Sequence, residues 1–254
     1  MSPKARNPIK STKTTFEIVE ALMELDGAGV TEVAEHLGLP KSNVHNYLST
    51  LEEGEYVVKR GTTWNVGIRF LELGAYARSR RDLYDIARPE MDKIADEEGE
   101  LVNLLVEEHG RGTYIYRVAG DDAVQVDAHV GTRVHLHCTA LGKVILAHLP
   151  TERVDDIVTQ HGLPEVTDNT ITDREEFHEA LADVRERGIA FDREERVEGL
   201  RCAAAPIRSN TGRVLGALSI SGPTTRIQNE RLEEEIPAVL EQATNVIELN
   251  ITYS

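Results

Sequence analysis

A short stretch near the N-terminus alternates apolar and short polar side chains at helical spacing. In LGLPKSNVHNYLSTL (37–51), Val44, Tyr47, Leu48 and Leu51 recur at helical spacing, which predicts a helix with one apolar, inward face. The outward positions carry short hydrogen-bonding side chains and no carboxylate: Ser42, Asn43, His45, Asn46 and Ser49. Such side chains can bond base edges in a major groove, so the pattern predicts a recognition helix.

The flanking residues predict the elements that would position this helix. Thr31 is a candidate N-cap for a preceding short helix, and Gly38 to Pro40 supply a tight turn. YVVKRGTTWNVG (56–67) predicts a β-hairpin around Gly61, a wing that places basic side chains near phosphates. Thr31, Lys41, Lys59 and Arg60 therefore complete the predicted DNA-binding set. A three-helix packing unit with a solvated polar face is the alternative.

A second group of residues is suited to binding a small anion. HLHCTALGKVILAHLP (135–150) predicts a strand that leads into an apolar helix with Thr139 as its cap. The backbone amides of Ala140, Leu141 and Gly142 would then lie at a helix N-terminus, where free N–H groups and the helix dipole attract anions.

Two later segments predict a hairpin with hydroxyl groups on one face. LRCAAAPI and VLGALSISGP flank RSNTGR, with the turn expected at Asn210 to Gly212. Ser219 and Ser221 are two residues apart on the second strand and so share a face. Small residues around Cys202 on the first strand leave room for a ligand. The alternative is that these serines and Cys202 are ordinary sheet residues.

Metal and enzyme chemistry find less support in the sequence. His135 and His137 would share a strand face near His129, but Cys138 would point the other way, and the spacing is not that of a structural zinc site. A zinc site there remains an open alternative; no metal and no cofactor are predicted. A thiol enzyme using Cys202 lacks a nucleophile motif, so no catalytic residue is predicted. The acid-rich segment DREERVEG (192–199) is interpreted as a solvated face.

Composition limits the class of protein. The chain has 254 residues, 40% of them hydrophobic, with a net charge of −16, and no apolar run predicts a signal peptide or membrane span. Two cysteines are too few for a disulfide framework, so a cytoplasmic location and no membrane partner are expected. Basic residues comprise 7 Lys and 21 Arg. This acidic, Lys-poor composition resembles proteins of salt-loving microbes, a halophilic archaeon being expected, with an ordinarily acidic protein as the alternative.

The order of elements predicts two domains joined by a helix. Short helices and a hairpin precede residue 67, and β-rich runs alternate with helices after residue 99. The helical pattern at 68–99 is expected to break at Pro89. We predict a DNA-binding domain at 1–67, a linker helix at 68–81 and a second domain at 82–254, which ends in an amphipathic helix at 231–249.

Three segments together resemble the IclR family of transcriptional regulators. They are GVTEVAEHLGLPKSNVHNYLSTLEEGEYV (29–57), HVGTRVHLHCTALGKVILAHLP (129–150) and RERGIAFDREERVEGLRCAAAPIRSNTGRVLGALSISGP (185–223). The resemblance implies an α+β protein with an N-terminal winged helix-turn-helix domain, a dimerising linker helix and a C-terminal GAF-like α/β effector-binding domain. It also implies an effector pocket at Ala140, Leu141, Asp192, Cys202, Ser219 and Ser221. Many relatives carry a small residue where Leu141 stands, so a narrower pocket or a less polar ligand is expected.

The predicted function is sequence-specific transcriptional regulation controlled by a small-molecule effector. The expected partners are a double-stranded DNA operator with dyad symmetry, an effector that is a small organic acid, and further copies of the chain in a homodimer or homotetramer. Two alternatives from other classes stay open: a small-molecule enzyme built on the C-terminal domain, and a protein-interaction module that uses the N-terminal helices.

Overall fold

The computed structural model describes residues 5–253, which fall into two compact units that divide between Arg78 and Ser79. Residues 1–4 and 254, part of the predicted domains 1–67 and 82–254, lie outside the described residues. The division falls within the segment that the sequence assigns to the linker. Within 5–253, no helix is long and apolar enough to cross a membrane.

The N-terminal unit is a helix-turn-helix followed by a two-stranded hairpin. Its elements are α1 (Lys10–Glu24), α2 (Val30–Leu37), α3 (Lys41–Glu53), β1 (Val57–Arg60), β2 (Thr63–Val66) and most of α4 (Arg69–Ser79). Ile18, Leu22, Leu48 and Trp64 are among its fully buried core side chains. The hairpin turns at Gly61, whose φ of +64° favours glycine. The predicted winged helix-turn-helix is confirmed.

The start of α2 differs from the prediction. The helix begins at Val30 with Gly29 as its N-cap, and the Gly29 N–H donates to the Glu32 carboxylate over 2.7 Å. Thr31 therefore lies exposed inside the first turn, and its prediction as N-cap is wrong. The side chain of Glu32, three residues after the N-cap, accepts the N–H of the N-cap residue itself, so a hydroxyl at the N-cap is not needed for this bond.

The helix break between the units also differs from the prediction. α4 ends at Ser79 and α5 (Asp82–Glu98) begins three residues later, whereas Pro89 lies inside α5. The predicted break at Pro89 is wrong. Pro89 and Asp85, four residues earlier, are both exposed, so the Asp85 carbonyl that loses its helical partner can bond water instead.

The C-terminal unit is an antiparallel sheet covered by helices on both faces. After α5 its elements are β3 (Leu101–Glu108), β4 (Arg111–Ala119), β5 (Arg133–Val134), α6 (Ala140–Ala147), α7 (Thr151–His161), α8 (Arg174–Arg187), β6 (Ala190–Arg193), β7 (Leu200–Arg208), β8 (Val214–Pro223), a π-helical turn (Arg231–Glu235) and α9 (Ile236–Tyr253). The strand order is β5-β4-β3-β8-β7-β6, with antiparallel pairing throughout. This is the predicted GAF-like α/β architecture.

Alternation along the central strands builds two separate cores. On β8, Leu218 and Ile220 belong to the core that α5 and α9 cover, whereas Ala217 belongs to the core that α6, α7 and α8 cover. Ser219 and Ser221 follow Ala217 at a spacing of two and so share its face. The sheet thereby turns a row of hydroxyl groups toward the N-terminal end of α6.

Candidate functional site

The exposed face of α3 carries most of the side chains predicted to contact DNA. Val44, Leu48 and Leu51 are buried and Tyr47 is half-buried. Lys41, Ser42, Asn43, His45 and Asn46 are exposed, and Ser49 is half-buried. The face thus offers hydroxyl, amide and imidazole groups to solvent, with Lys41 in the first turn.

The hairpin adds two basic side chains with different surroundings. Lys59 and Arg60 are both exposed on β1. The Lys59 ammonium lies 5.0 Å from the centre of the Trp64 ring, a cation–π distance. This contact anchors one basic group to the hairpin itself.

A cavity, here called the inner cavity, lies between the sheet and the start of α6. It is small: the centre of a water-sized sphere can occupy only about 20 Å³ of it, which is room for one or two water molecules. Its walls are Leu101, Asn103, Tyr114, Arg117, Val126, Thr139, Ala140, Leu141, Asp192, Arg196, Leu200, Cys202, Ser219 and Ser221. Six of the seven residues predicted to bind an effector therefore meet here; Gly142 does not line the cavity.

Asn103 connects the two serines to a charged group. Its Nδ2 donates to Ser219 Oγ over 3.3 Å and to Ser221 Oγ over 3.2 Å. Its Oδ1 accepts a 2.8 Å hydrogen bond from Arg117 Nε. One buried amide thus orients both hydroxyls and one guanidinium.

Two guanidinium groups flank a buried tyrosine on the cavity wall. The Cζ atoms of Arg117 and Arg196 lie 5.2 and 5.7 Å from the centre of the Tyr114 ring. Arg196 Nη1 also donates to the Tyr114 hydroxyl over 3.4 Å. Burial raises the pKa of Tyr114 to about 12, so the phenol stays neutral while both arginines are charged. This wall therefore favours an anionic group.

The segment 192–199 is not the solvated face that its charge pattern suggested. Asp192 and Glu195 are 3% and 6% exposed, and Arg196 lines the cavity. The Lys143 ammonium, itself buried on α6, pairs with the Glu195 carboxylate. That interpretation is wrong because a buried ammonium on another element draws the acidic turn inward, a contact no local pattern contains.

The start of α6 has the predicted cap, and it uses one of the predicted amides. Thr139 Oγ1 accepts the Gly142 N–H over 2.9 Å, so that amide is already bonded. A Cβ at Gly142 would lie 2.0 Å from the Leu136 carbonyl oxygen. Gly142 therefore allows close packing, while Ala140 and Leu141 present the helix N-terminus to the cavity.

The histidine and cysteine cluster does not form the predicted strand face. β5 ends at Val134, so His135 and His137 follow it in irregular chain, their ring centres 5.5 Å apart. Arg111 Nη1 lies 2.6 Å from His135 Nε2. Burial, and then the positive charge of Arg111, lower the pKa of His135 to about 4. Within residues 5–253, no group of three or more His, Cys, Asp or Glu side chains is placed to hold a metal.

The two thiols are buried and protonated. Burial raises the pKa of Cys138 to about 12, and it also raises the pKa of Cys202. The thiolate is the nucleophilic form. Neither environment therefore activates a cysteine for covalent chemistry.

Sequence reasoning missed Asn103, Tyr114, Arg117 and Arg196. One signal was present: Asn103 interrupts the apolar run LVNLLV (101–106), and a polar residue inside a buried strand requires partners. The local sequence around Arg117 and Arg196 gave no such signal, because it does not distinguish an arginine that lines a cavity from one that is exposed to solvent.

Comparisons with known proteins agree with this architecture. A family model described as "IclR helix-turn-helix domain" matches residues 12–61, and one described as "Bacterial transcriptional regulator IclR C-terminal" matches residues 75–248. The chain is 34% identical over 260 residues to a probable HTH-type transcriptional regulator ArcR of Halobacterium salinarum, with 99% of each chain covered.

Solved structures show the same fold. The Thermotoga maritima IclR matches with a TM-score of 0.78 and 30% identity, covering 96% of this chain and 99% of that one. An IclR homologue from Microbacterium hydrocarbonoxydans, solved in complex with 4-hydroxybenzoate, matches with a TM-score of 0.79 and 25% identity, covering 94% of this chain and 100% of that one.

Proposed function

Because the chain belongs to the IclR family of DNA-binding transcriptional regulators, we propose that the inner cavity binds a small organic acid that changes its affinity for an operator. The observation that carries the proposal is the pair of guanidinium groups, Arg117 and Arg196, on one wall of a buried cavity. A guanidinium group matches the geometry of a carboxylate, and the attraction between the two charges is stronger in a low dielectric than in water. A metabolite acid is therefore the ligand class that this wall favours.

The remaining walls support a ligand with a second polar group. The start of α6 at Ala140 and Leu141 adds a helix N-terminus, which favours negative charge. Ser219 and Ser221 add hydroxyls on the sheet side. A hydroxy or keto acid would use both sets, and the 4-hydroxybenzoate bound by the Microbacterium homologue also carries a carboxylate and a hydroxyl.

The size of the cavity limits how the acid enters. About 20 Å³ holds one or two waters, so side chains must move to admit a carboxylic acid. Val126, Arg196 and Leu200 also line an outer groove of about 280 Å³. We infer that the acid enters by this groove and displaces these three side chains, while Leu141 limits the size of the ligand.

The N-terminal unit carries the proposed DNA contacts. The exposed face of α3 would read base edges, with Lys41 and the wing residues Lys59 and Arg60 contacting phosphates. Residues 1–80 contain 10 basic and 10 acidic side chains. A single unit with no net positive charge makes few phosphate contacts, so tight binding requires two copies on a dyad-symmetric operator.

Pairing of the two copies is assigned to the linker, residues 68–81, which would join the DNA-binding domain (1–67) to the effector domain (82–254). α4 has no buried residue, and Leu71, Leu73 and Tyr76 are exposed on it. Leu71→Glu should weaken dimers and operator binding together, as measured by sedimentation and fluorescence anisotropy. Leu249→Glu, on the exposed side of α9, is the matched control. A monomeric wild type that binds a half-site tightly would refute this assembly.

The effector proposal is tested by thermal shift on the full chain. A panel of acetate, lactate, pyruvate and 4-hydroxybenzoate should contain an acid that raises the melting temperature with concentration and alters operator binding. Cys202→Leu should abolish the response by filling the cavity, and Ser219→Ala should weaken it while DNA binding without acid persists.

Arg213→Gln, at an exposed turn, is the control and should respond as the wild type does. Acids that shift the wild type, Cys202→Leu and Arg213→Gln equally would exclude this cavity. A panel with no effect on the wild type would exclude the acid class.

A further inference from the structure

Asp192 is a buried carboxyl group on the wall of the inner cavity. Its side chain is 3% exposed, and its Oδ1 accepts the backbone N–H of Glu195 over 2.8 Å. It lies on β6 opposite Cys202 of β7. The Asp192 carboxyl group therefore lies beside Cys202 on the cavity wall, buried from solvent.

The charged groups around Asp192 bond to other partners. The Lys143 ammonium of α6 pairs with Glu195, and Arg196 Nη1 donates to the Tyr114 hydroxyl. Arg117 Nε, on β4, donates to Asn103. Glu195 itself adds a like charge next to Asp192. An ionised Asp192 would thus be a buried negative charge beside another one, which costs free energy.

The pKa of Asp192 agrees with this geometry. Burial, and then the charge of Glu195, raise it to about 7, although Lys143 and Arg196 oppose the shift. Of the other titratable groups that interact with it, Tyr114, Cys138 and Cys202 have pKa values raised above the neutral range by burial. A change of charge at this wall near pH 7 therefore belongs to Asp192.

Asp192 already belongs to the effector pocket that the family resemblance implies; we propose further that it binds the organic acid in its protonated form, so that effector binding takes up one proton from solvent. The inference rests on the proposed function. A carboxylate held by Arg117 and Arg196 brings a further negative charge into the same cavity, which favours the neutral form of Asp192. The protonated carboxyl then donates its O–H to an oxygen of the bound acid, and no covalent bond changes.

The dependence on pH follows from this proton. Below the pKa of Asp192 the free protein is already protonated, so binding takes up no proton and the affinity is constant. Above it, uptake approaches one proton per site, and the affinity falls toward tenfold for each pH unit. Anionic effectors should therefore act more strongly in acid than in alkali between about pH 6 and 8.5.

The test is calorimetry on the full chain with the acid from the panel of acetate, lactate, pyruvate and 4-hydroxybenzoate that raises the melting temperature most. Titrations at each pH in two non-carboxylate organic buffers, whose pKa values lie near that pH and whose ionisation enthalpies differ, measure the protons taken up. We expect nearly none at pH 6, about half a proton at pH 7 and nearly one at pH 8.5. Asp192→Asn keeps a neutral donor and an acceptor for the Glu195 N–H, so its affinity should not depend on pH. Asp121→Asn, at an exposed loop position, should behave as the wild type.

Each outcome separates this inference from the proposed function. Binding without proton uptake, or with proton release, overturns the role of Asp192 and leaves the organic-acid effector standing. No binding by any acid of the panel overturns both. A measurement without ligand adds a check. Because the pKa of Asp192 is higher in the folded than in the unfolded protein, the stability that its protonated form contributes at low pH is lost as pH rises through about 7. Asp192→Asn should therefore gain melting temperature relative to the wild type from pH 6 to 8.5, and an unchanged difference would contradict the proposal.

Discussion

The exposed face of α3 and the wall of the inner cavity use the same kinds of side chain in opposite surroundings. On α3, Asn46 and its polar neighbours point into solvent, where water supplies their hydrogen bonds until DNA replaces it. In the cavity, Asn103 is 4% exposed and binds two hydroxyls and a guanidinium. A polar group of the first kind contributes to recognition alone, whereas one of the second kind contributes to folding and recognition together.

The largest expected effect comes from Gly142, where the buried region tolerates no added atom. In Gly142→Ala the Cβ would lie 2.0 Å from the Leu136 carbonyl oxygen, so the start of the fully buried α6 must shift. We expect a loss of more than about 4 kcal/mol in the free energy of unfolding, or no folded C-terminal unit. Denaturant unfolding measures it.

The matched control for this change is Gly74→Ala on α4. Nothing lies within 4 Å of its added Cβ, so it should stabilise the helix by up to about 1 kcal/mol. If the free energy of unfolding of Gly142→Ala were within about 1 kcal/mol of the wild-type value, the start of α6 could shift to admit a Cβ, and the predicted rigidity of this buried region would be wrong.

The next effect is that of Asn103→Ala. It leaves both serine hydroxyls and the Arg117 guanidinium without the partner that orients them, so we expect a loss of about 2 to 3 kcal/mol in the free energy of unfolding, together with a weaker thermal shift by the acid panel. Asn210→Ala, at the exposed turn, should stay within about 0.5 kcal/mol of the wild type. Equal stability of the two variants would contradict the structural role of the amide.

Asn46→Ala tests the exposed side of the comparison. Operator binding should weaken by about 1 to 3 kcal/mol, with relaxed specificity at one base pair, while the free energy of unfolding changes by less than about 0.5 kcal/mol. Anisotropy titrations with operator and scrambled DNA measure the first, and denaturant unfolding the second. Asn169→Ala, exposed in the C-terminal unit, should change neither. An equal loss on both DNAs would remove direct base reading from this face.

The smallest effect is expected at the wing. Arg60→Ala removes one exposed guanidinium, so all DNA sequences should bind more weakly by roughly 1 kcal/mol, and the dependence of log affinity on log salt should fall by about 1. Titrations at several salt concentrations measure both quantities. A loss confined to the operator would instead make Arg60 a base-reading residue.

Much of the fold was accessible from periodicity and turn chemistry. The inward face of α3, the hairpin at Gly61 and the Thr139 cap each depend on residues close in sequence. Local reasoning was wrong where two solutions compete. Glu32 and Thr31 are both able to cap α2, and Pro89 is tolerated in α5 because its side of the helix is exposed.

The sequence by itself determined which side chains alternate toward which face, including Ser219 and Ser221 on one side of β8, because side-chain direction follows from the backbone repeat. Only the tertiary structure decided that Asn103, Arg117 and Arg196 meet around those serines, and that Lys143 pairs with Glu195. These contacts join strands, a helix and a turn that lie far apart in the chain. Whether a charged residue is solvated or buried depends on the partner that such distant elements bring to it.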